Sequence, residues 1–312
     1  MGGSGGGTFS GRSPEDLREW ARKAEDKAGG AAFSAELASL LGALLANFND
    51  RDVEAVNKRL ADLKSALSDS LEGSFDHLFG GSVAKHTYVD GLSDIDSLVL
   101  IDGSELADSL PATVLAKMSK ILSKHLGSAA TVSHGDMAVT IEYKDGMVVQ
   151  MLPALRTNNG LVKVPSSRTE GWSKIDPIKF QDALTKRNGE CGNKLVPTIK
   201  LAKAIVGQLP ESHRLTGYHV ESLAIAAFKD YRGQKTTVGM LPQFFESAKE
   251  LVLSPIRDRT GQSVHVDDYL GGANSEQRQA LGHVLGRVAR RIRNASSAGS
   301  TDQWRELFGV DL

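Results

Sequence analysis

Phe79-Gly80-Gly81-Ser82 and, eleven residues beyond it, Asp94-Ile95-Asp96-Ser97-Leu98-Val99-Leu100-Ile101 are the stretches on which the reading of this chain turns. A turn of small residues frees backbone N–H groups to hold a polyphosphate. Acids spaced i, i+2 on a strand project from one face, where they can share divalent cations. Each half of the pattern is common by itself: Asp-X-Asp occurs in solvated loops and helix caps, and Gly-Gly-Ser in plain turns. Linked by Lys85, Thr87 and Ser93 and followed by a buried apolar run, they point to a nucleotide-handling site.

Length and composition bound the rest. At 312 residues the chain can bury a sizeable core and divide into two parts of ordinary domain size. Lys and Arg number 37 against 38 Asp and Glu, so no global charge advertises nucleic acid and any basic groove is local. The single cysteine, Cys191, excludes a disulfide framework and a multi-cysteine zinc site. His86, His134, His213 and His219 have no metal-ligand spacing with one another or with it. No stretch approaches eighteen apolar residues, and Met1 to Gly7 lacks the apolar core of a signal peptide, so the expected address is the cytoplasm, with no membrane partner.

Ser13-Pro14-Glu15-Asp16 is a helix start, and the helix it opens is expected to stop at Gly29-Gly30. Apolar spacing predicts further helices over Phe33 to Phe48 and Arg51 to Leu71. Strand chemistry is expected from Phe79. A strand over Asp96 to Ile101, a helix over Ala112 to Leu126 and strands near Thr131 to Ser133 and Ala138 to Tyr143 come next. Lys144-Asp145-Gly146-Met147 reads as a two-residue hairpin loop returning into Val148 to Pro153. After Asp176 the chain reads as helical: Lys179 to Asn188, Leu195 to Val206, His219 to Tyr231, Leu241 to Val252 and Ser275 to Ser296. The expected class is α+β, with a flexible Gly-rich tail over 1–12, N-terminal helices and a sheet-bearing catalytic lobe over 13–175, and a helical C-terminal lobe over 176–312. A cleft is expected between the lobes.

The run FGGSVAKHTYVDGLSDIDSLVLID resembles the active-site segment of the DNA polymerase β-like nucleotidyltransferases. PTIKLAKAI followed by LTGYHVESLAI is similar to the branch that holds oligoadenylate synthases, cyclic-GMP-AMP synthase and the bacterial cyclic-oligonucleotide synthases of anti-phage defence. The resemblance implies that Asp94 and Asp96 hold two Mg²⁺ ions, with Mn²⁺ as a substitute, and that Gly81 and Ser82 bind the β- and γ-phosphates of an NTP, ATP among the candidates. It implies that Lys203, with Lys200 one turn earlier as a second candidate, balances the triphosphate charge. It also implies that the helix carrying Tyr218 and Glu221 frames the nucleotide cleft, although Glu221 reads equally as a structural ion-pair partner. A regulatory protein partner fits the resemblance; a nucleic-acid activator is not expected.

One position departs from the family pattern. Where a third acid normally precedes an apolar, apolar, Pro run, this chain has Gln150-Met151-Leu152-Pro153. Glutamine offers a neutral carbonyl oxygen that can position a metal or water but cannot accept the hydroxyl proton. With a two-residue hairpin loop, Lys144 pairs with Met147, Gln150 falls opposite Ile141, and Glu142 is expected on the other face. Two functional classes remain beside a cyclic-oligonucleotide synthase: nucleotidyl transfer to a non-nucleotide acceptor, and a catalytically weak nucleotide sensor. Trp172 reads as packing and Arg287, Arg290, Arg291 and Arg293 as a solvated face, while Arg257 to Gly261 reads equally as a solvated turn or a cleft-side loop.

Overall fold

The structure is a computed structural model that describes residues 13–49, 53–79, 95–157, 161–166, 169–261 and 263–310. Helices α1 (Pro14–Asn49) and α2 (Val53–Ser70) lead into strands β1 (Gly73–Phe79) and β2 (Ile95–Ser104). Helix α3 (Pro111–Leu126) is followed by β3 (Ala130–His134), β4 (Val139–Tyr143), β5 (Val148–Arg156), β6 (Val162–Pro165) and β7 (Trp172–Ile175). The remainder is helical: α4 (Pro177–Glu190), α5 (Leu195–Gly207), α6 (Gly217–Ala227), α7 (Thr237–Leu251), α8 (Glu276–Ser297) and α9 (Thr301–Leu307). This is the α+β class expected.

The sheet runs β1-β2-β5-β4-β3, with β6 joining β5 to β7. β2 and β5 are parallel, whereas β1 with β2, β3 with β4 and β4 with β5 are antiparallel. The near-continuous apolar run in β2 reflects burial on both faces. Val99 and Ile101 join Leu63 and Leu67 of α2 and Val114 and Met118 of α3 in one core, while Leu98 and Leu100 pack with Ala154, Val162, Val164 and Ile175 in another.

A third, larger core gathers the helices that follow β7 and includes Leu37, Leu41 and Leu44 of α1. Gly29-Gly30 does not end α1, which runs through both glycines and spans 36 residues in all. An interior glycine costs only about 1 kcal/mol against alanine, and burial of those leucines on the far side offsets it. By length and mean hydropathy (1.5), Gly30–Phe48 could cross a membrane, but its leucine stripe here packs into the helical core.

The β4–β5 connection corrects the expected register. Tyr143 N–H donates to Met147 O at 2.9 Å and Gly146 N–H to Tyr143 O at 2.9 Å, so the loop has three residues, with Gly146 at φ 88°. Arg59 of α2 explains the longer loop: its guanidinium grips Asp145 through two hydrogen bonds, 3.1 and 2.6 Å, and lies 4.0 Å from the Tyr143 ring centroid. Gln150 therefore pairs with Thr140 rather than Ile141, and Glu142 with Val148. Residues directly opposite share a face, so this one-residue slip brings Glu142 onto the face of Gln150 instead of turning it away.

Candidate functional site

Asp96 and Gln150 are register partners on the parallel strands β2 and β5, and Thr140 is Gln150's partner on the other side. Gln150 is half-buried and Glu142 exposed. Gly81, Ser82 and Asp94 lie outside the described residues. Among the described residues no three His, Cys, Asp or Glu side chains converge as a metal site. As residue types, the two acids and the Gln150 amide offer oxygen donors, the kind that a hard cation takes.

Across the helical core, α5 and α6 bring the remaining candidates together. Lys203 is 7% exposed and Glu221 1%, and Nζ stands 2.8 Å from Oε1. Gly217 makes room for this pair, because a Cβ there would meet Lys203 Nζ at 3.3 Å. Glu221 thus acts as an ion-pair partner in this structure, and Lys203 meets it with its ammonium largely desolvated. Removing either would leave a buried charge uncompensated. Lys200 is half-buried one turn earlier.

Tyr218 packs its ring on Phe180 of α4, with centroids 4.6 Å apart and planes tilted by 53°. Its hydroxyl donates to Asp258 Oδ1 at 2.7 Å. Burial and the neighbouring Asp258 push the phenol well above its ordinary value. Burial works against the Asp258 charge, but hydrogen bonds from Tyr218, Ser263 and Thr260 outweigh it and hold the carboxylate below its usual range. The polar loop after Pro255 is anchored through Asp258, while its Arg257, Arg259 and Gly261 are exposed.

The next residue, His219, is fully buried, with Nδ1 2.9 Å from Tyr269 OH and Nε2 3.5 Å from Asp267 Oδ2. Burial pushes its imidazole down to about 4; Asp267 opposes the shift and Arg278 reinforces it. Above pH 6.5 the ring is neutral in the folded and the unfolded chain. Below that pH the unfolded chain takes up a proton that the folded ring refuses until about 4. Stability is thus expected to fall between pH 6.5 and 4, by at most about 3 kcal/mol. Urea midpoints for His219→Gln should lose most of this slope, and an unchanged slope would assign it to other groups.

Asp267 and Arg278 were not among the residues expected from sequence. An acid in a polar loop and an arginine in a helix carry no mark that they will meet in a core. Trp172 donates Nε1–H to Ser109 O at 3.1 Å and packs on the sheet core, as a packing residue does. The basic string divides: Arg291 pairs with Glu306 and Arg293 with Glu246, whereas Arg287 and Arg290 line a cavity of about 730 Å³ between α7 and α8 with Lys249 and His283.

Residues 33–188 match the family described as the Second Messenger Oligonucleotide or Dinucleotide Synthetase domain. The chain belongs to this family. As a synthetase of that family it is a nucleotidyltransferase, and the stretch matched contains β2, β5 and both first-strand acids. No curated relative matches the sequence. Solved structures share the synthetase fold at low identity. E. coli MS115-1 CdnC, solved with ATP, superposes with a TM-score of 0.62 at 19% identity, covering 83% of this chain and 91% of its own. Bradyrhizobium diazoefficiens CdnG, solved with GTP, gives 0.62 at 14% identity, covering 89% and 95%. Vibrio cholerae DncV, a cyclic AMP-GMP synthase solved with the linear intermediate pppA(3′,5′)pG, gives 0.59 at 11% identity, covering 95% and 89%.

Proposed function

We propose that this synthetase condenses NTPs into a short cyclic oligonucleotide, di- or trinucleotide, with release of pyrophosphate, in a cleft between the sheet-bearing part of the chain and the helical core that α1 joins. The observation that carries this reading is the pairing of Asp96 with Gln150 in the heart of the sheet, within the stretch that defines the family. In each round a ribose hydroxyl oxygen bonds to an α-phosphorus and its proton passes to water, the bond from that phosphorus to the bridging oxygen breaks, and pyrophosphate departs. Asp94 and Asp96 would hold Mg²⁺, which when bound neutralises charge developing on the phosphoryl oxygens. Gly81 and Ser82 would orient the β- and γ-phosphates through N–H groups and a hydroxyl. Lys200 would add positive potential from α5, joined by Lys203 if a triphosphate draws its ammonium away from Glu221, and Tyr218 would border the base. Gln150 would position rather than deprotonate.

Incubating the protein with each labelled NTP, singly and mixed, in Mg²⁺ or Mn²⁺ and then treating with phosphatase tests the proposal. Phosphatase-resistant small products support it. Products only on addition of an RNA, antibiotic or protein acceptor would replace it with transfer to that acceptor. Binding without conversion would make the chain a sensor, the reading that Gln150 leaves open. A cytoplasmic role in anti-phage signalling under a regulatory protein partner is part of the same proposal; E. coli CdnC has been solved in complex with HORMA-deltaN.

Position 150 gives a graded test. Gln150→Glu supplies the carboxylate that the family pattern holds there, and turnover is expected to rise about tenfold, a fraction of what a general base commonly contributes. The gain should persist in a Glu142→Gln background if the third acid acts at position 150. A loss on Gln150→Glu would show that the amide itself is used.

A further inference from the structure

We propose that Asp258 is a positioning residue for nucleotide binding: it clamps the phenol of Tyr218 so that the ring, backed by Phe180, is presented to the nucleotide base in one fixed orientation. The inference rests on the reading of Tyr218 as a residue of the nucleotide cleft.

The Asp258 side chain is nearly buried and receives five hydrogen bonds from described residues. Oδ1 accepts from Thr260 N–H and Oγ1–H, both at 2.8 Å, and from Tyr218 OH at 2.7 Å. Oδ2 accepts from Ser263 N–H and Oγ–H, both at 3.0 Å. Four of these bonds close the loop on itself. The fifth reaches 40 residues back to α6, and the loop's own conformation does not require it. Only a carboxylate can accept from all five donors, because an asparagine amide would turn N–H groups toward N–H groups.

The support around Tyr218 forms a closed circuit. Thr260 O accepts from Asp176 N–H at 2.9 Å. Asp176 follows β7 and caps α4 by accepting from Lys179 N–H at 3.2 Å, which places Phe180 in the first turn of that helix. Phe180 then meets the Tyr218 ring, and the Tyr218 hydroxyl returns to Asp258. The same loop also grips the following residue of α6, since Tyr269 OH and Asp267 lie against the His219 ring. Two successive α6 residues held by one loop leave Tyr218 little freedom to swing. Side chains locked in this way bind without losing rotamer entropy at the moment of binding.

Affinities of the purified protein for a panel of four non-hydrolysable NTP analogues with Mg²⁺, measured calorimetrically, test the clamp, alongside steady-state kinetics on the NTPs. Tyr218→Phe keeps the ring and removes only the hydroxyl. It is expected to weaken binding and raise KM about tenfold while kcat stays within about twofold, the size of one charge-assisted hydrogen bond. Asp258→Asn, which also disturbs the loop's own bonds, should lose at least as much, and adding Tyr218→Phe to it should bring little further loss, because the bond that links the two residues is already weakened. Melting temperatures accompany every variant; if Asp258→Asn does not fold, Tyr218→Phe alone decides. Unchanged affinity in folded Tyr218→Phe, or losses that add in the double variant, overturns the clamp while leaving the proposed function intact. Failure of the folded wild-type protein to bind any analogue overturns the nucleotide-cleft reading, and the clamp with it.

Discussion

Asp96→Asn is expected to lower nucleotidyl transfer at least about a thousandfold, comparable to removing a principal electrostatic element of a transition state, with no change in far-UV circular dichroism. The fold should survive because β2 is held by Ser97, Leu98, Val99, Leu100 and Ile101, all buried, and by its ladders to β1 and β5. The substitution keeps the side chain's shape and removes its charge. That charge matters more here than in a site with three acids, since Asp96's register partner is already the neutral Gln150. Under the proposed function two carboxylates would be left to neutralise cations against a triphosphate, and losing either would halve that negative charge. Asp94→Asn should behave alike. Product assays on both variants beside wild type check the expectation, and near-normal turnover in either would place the chemistry elsewhere.

The largest expected loss of stability comes from Arg278→Met. Arg278 and Asp267 are both fully buried, with Nη1 2.6 Å from Oδ2. Arg278 also donates to the carbonyls of Val252, Gly271, Gly272 and Asp267, so one guanidinium ties the end of α7 to the loop before α8. Asp267 in turn accepts from Ile256 N–H at 3.0 Å. Burial raises the Asp267 carboxyl, but the Arg278 hydrogen bond overrides it and keeps the group below its ordinary value, hence charged. Deleting the arginine strands that charge in the core, at a cost of about 3–5 kcal/mol. For a chain of this size the melting temperature should drop by roughly 10 °C. Arg278→Lys should recover little, because a single ammonium cannot reproduce the fork. Denaturant unfolding at pH 7 measures the loss, and a change under about 1 kcal/mol would mean that the pair is dispensable.

The legibility of the chain follows the range of the interactions involved. The strand after Asp94, the helix near Ala112 to Leu126 and most C-terminal helices were readable because apolar periodicity and caps act within one or two turns. β1, β6, β7 and α9 were not anticipated: each is seven residues or fewer, too short to show a period of its own, and β6 and β7 form only where β5 offers an edge to pair with. The Asp145-Gly146 turn was recognised, yet its length was not, because a guanidinium 86 residues upstream selects the three-residue form. That single local difference moves Glu142 to the other face of the sheet.

Local order in the chain was enough to establish the family, the α+β class, the acid pair heading a doubly buried strand and the missing third carboxylate, since all of these are written in residue type and spacing. Tertiary packing alone decided that Lys203 meets Glu221, that Asp258 holds Tyr218, that Asp267 and Arg278 share a core, and that Glu142 lies beside Gln150. Each of those outcomes depends on charges and donors brought together across long loops, where desolvation makes an unpaired group costly, and sequence spacing carries no record of which partners will meet.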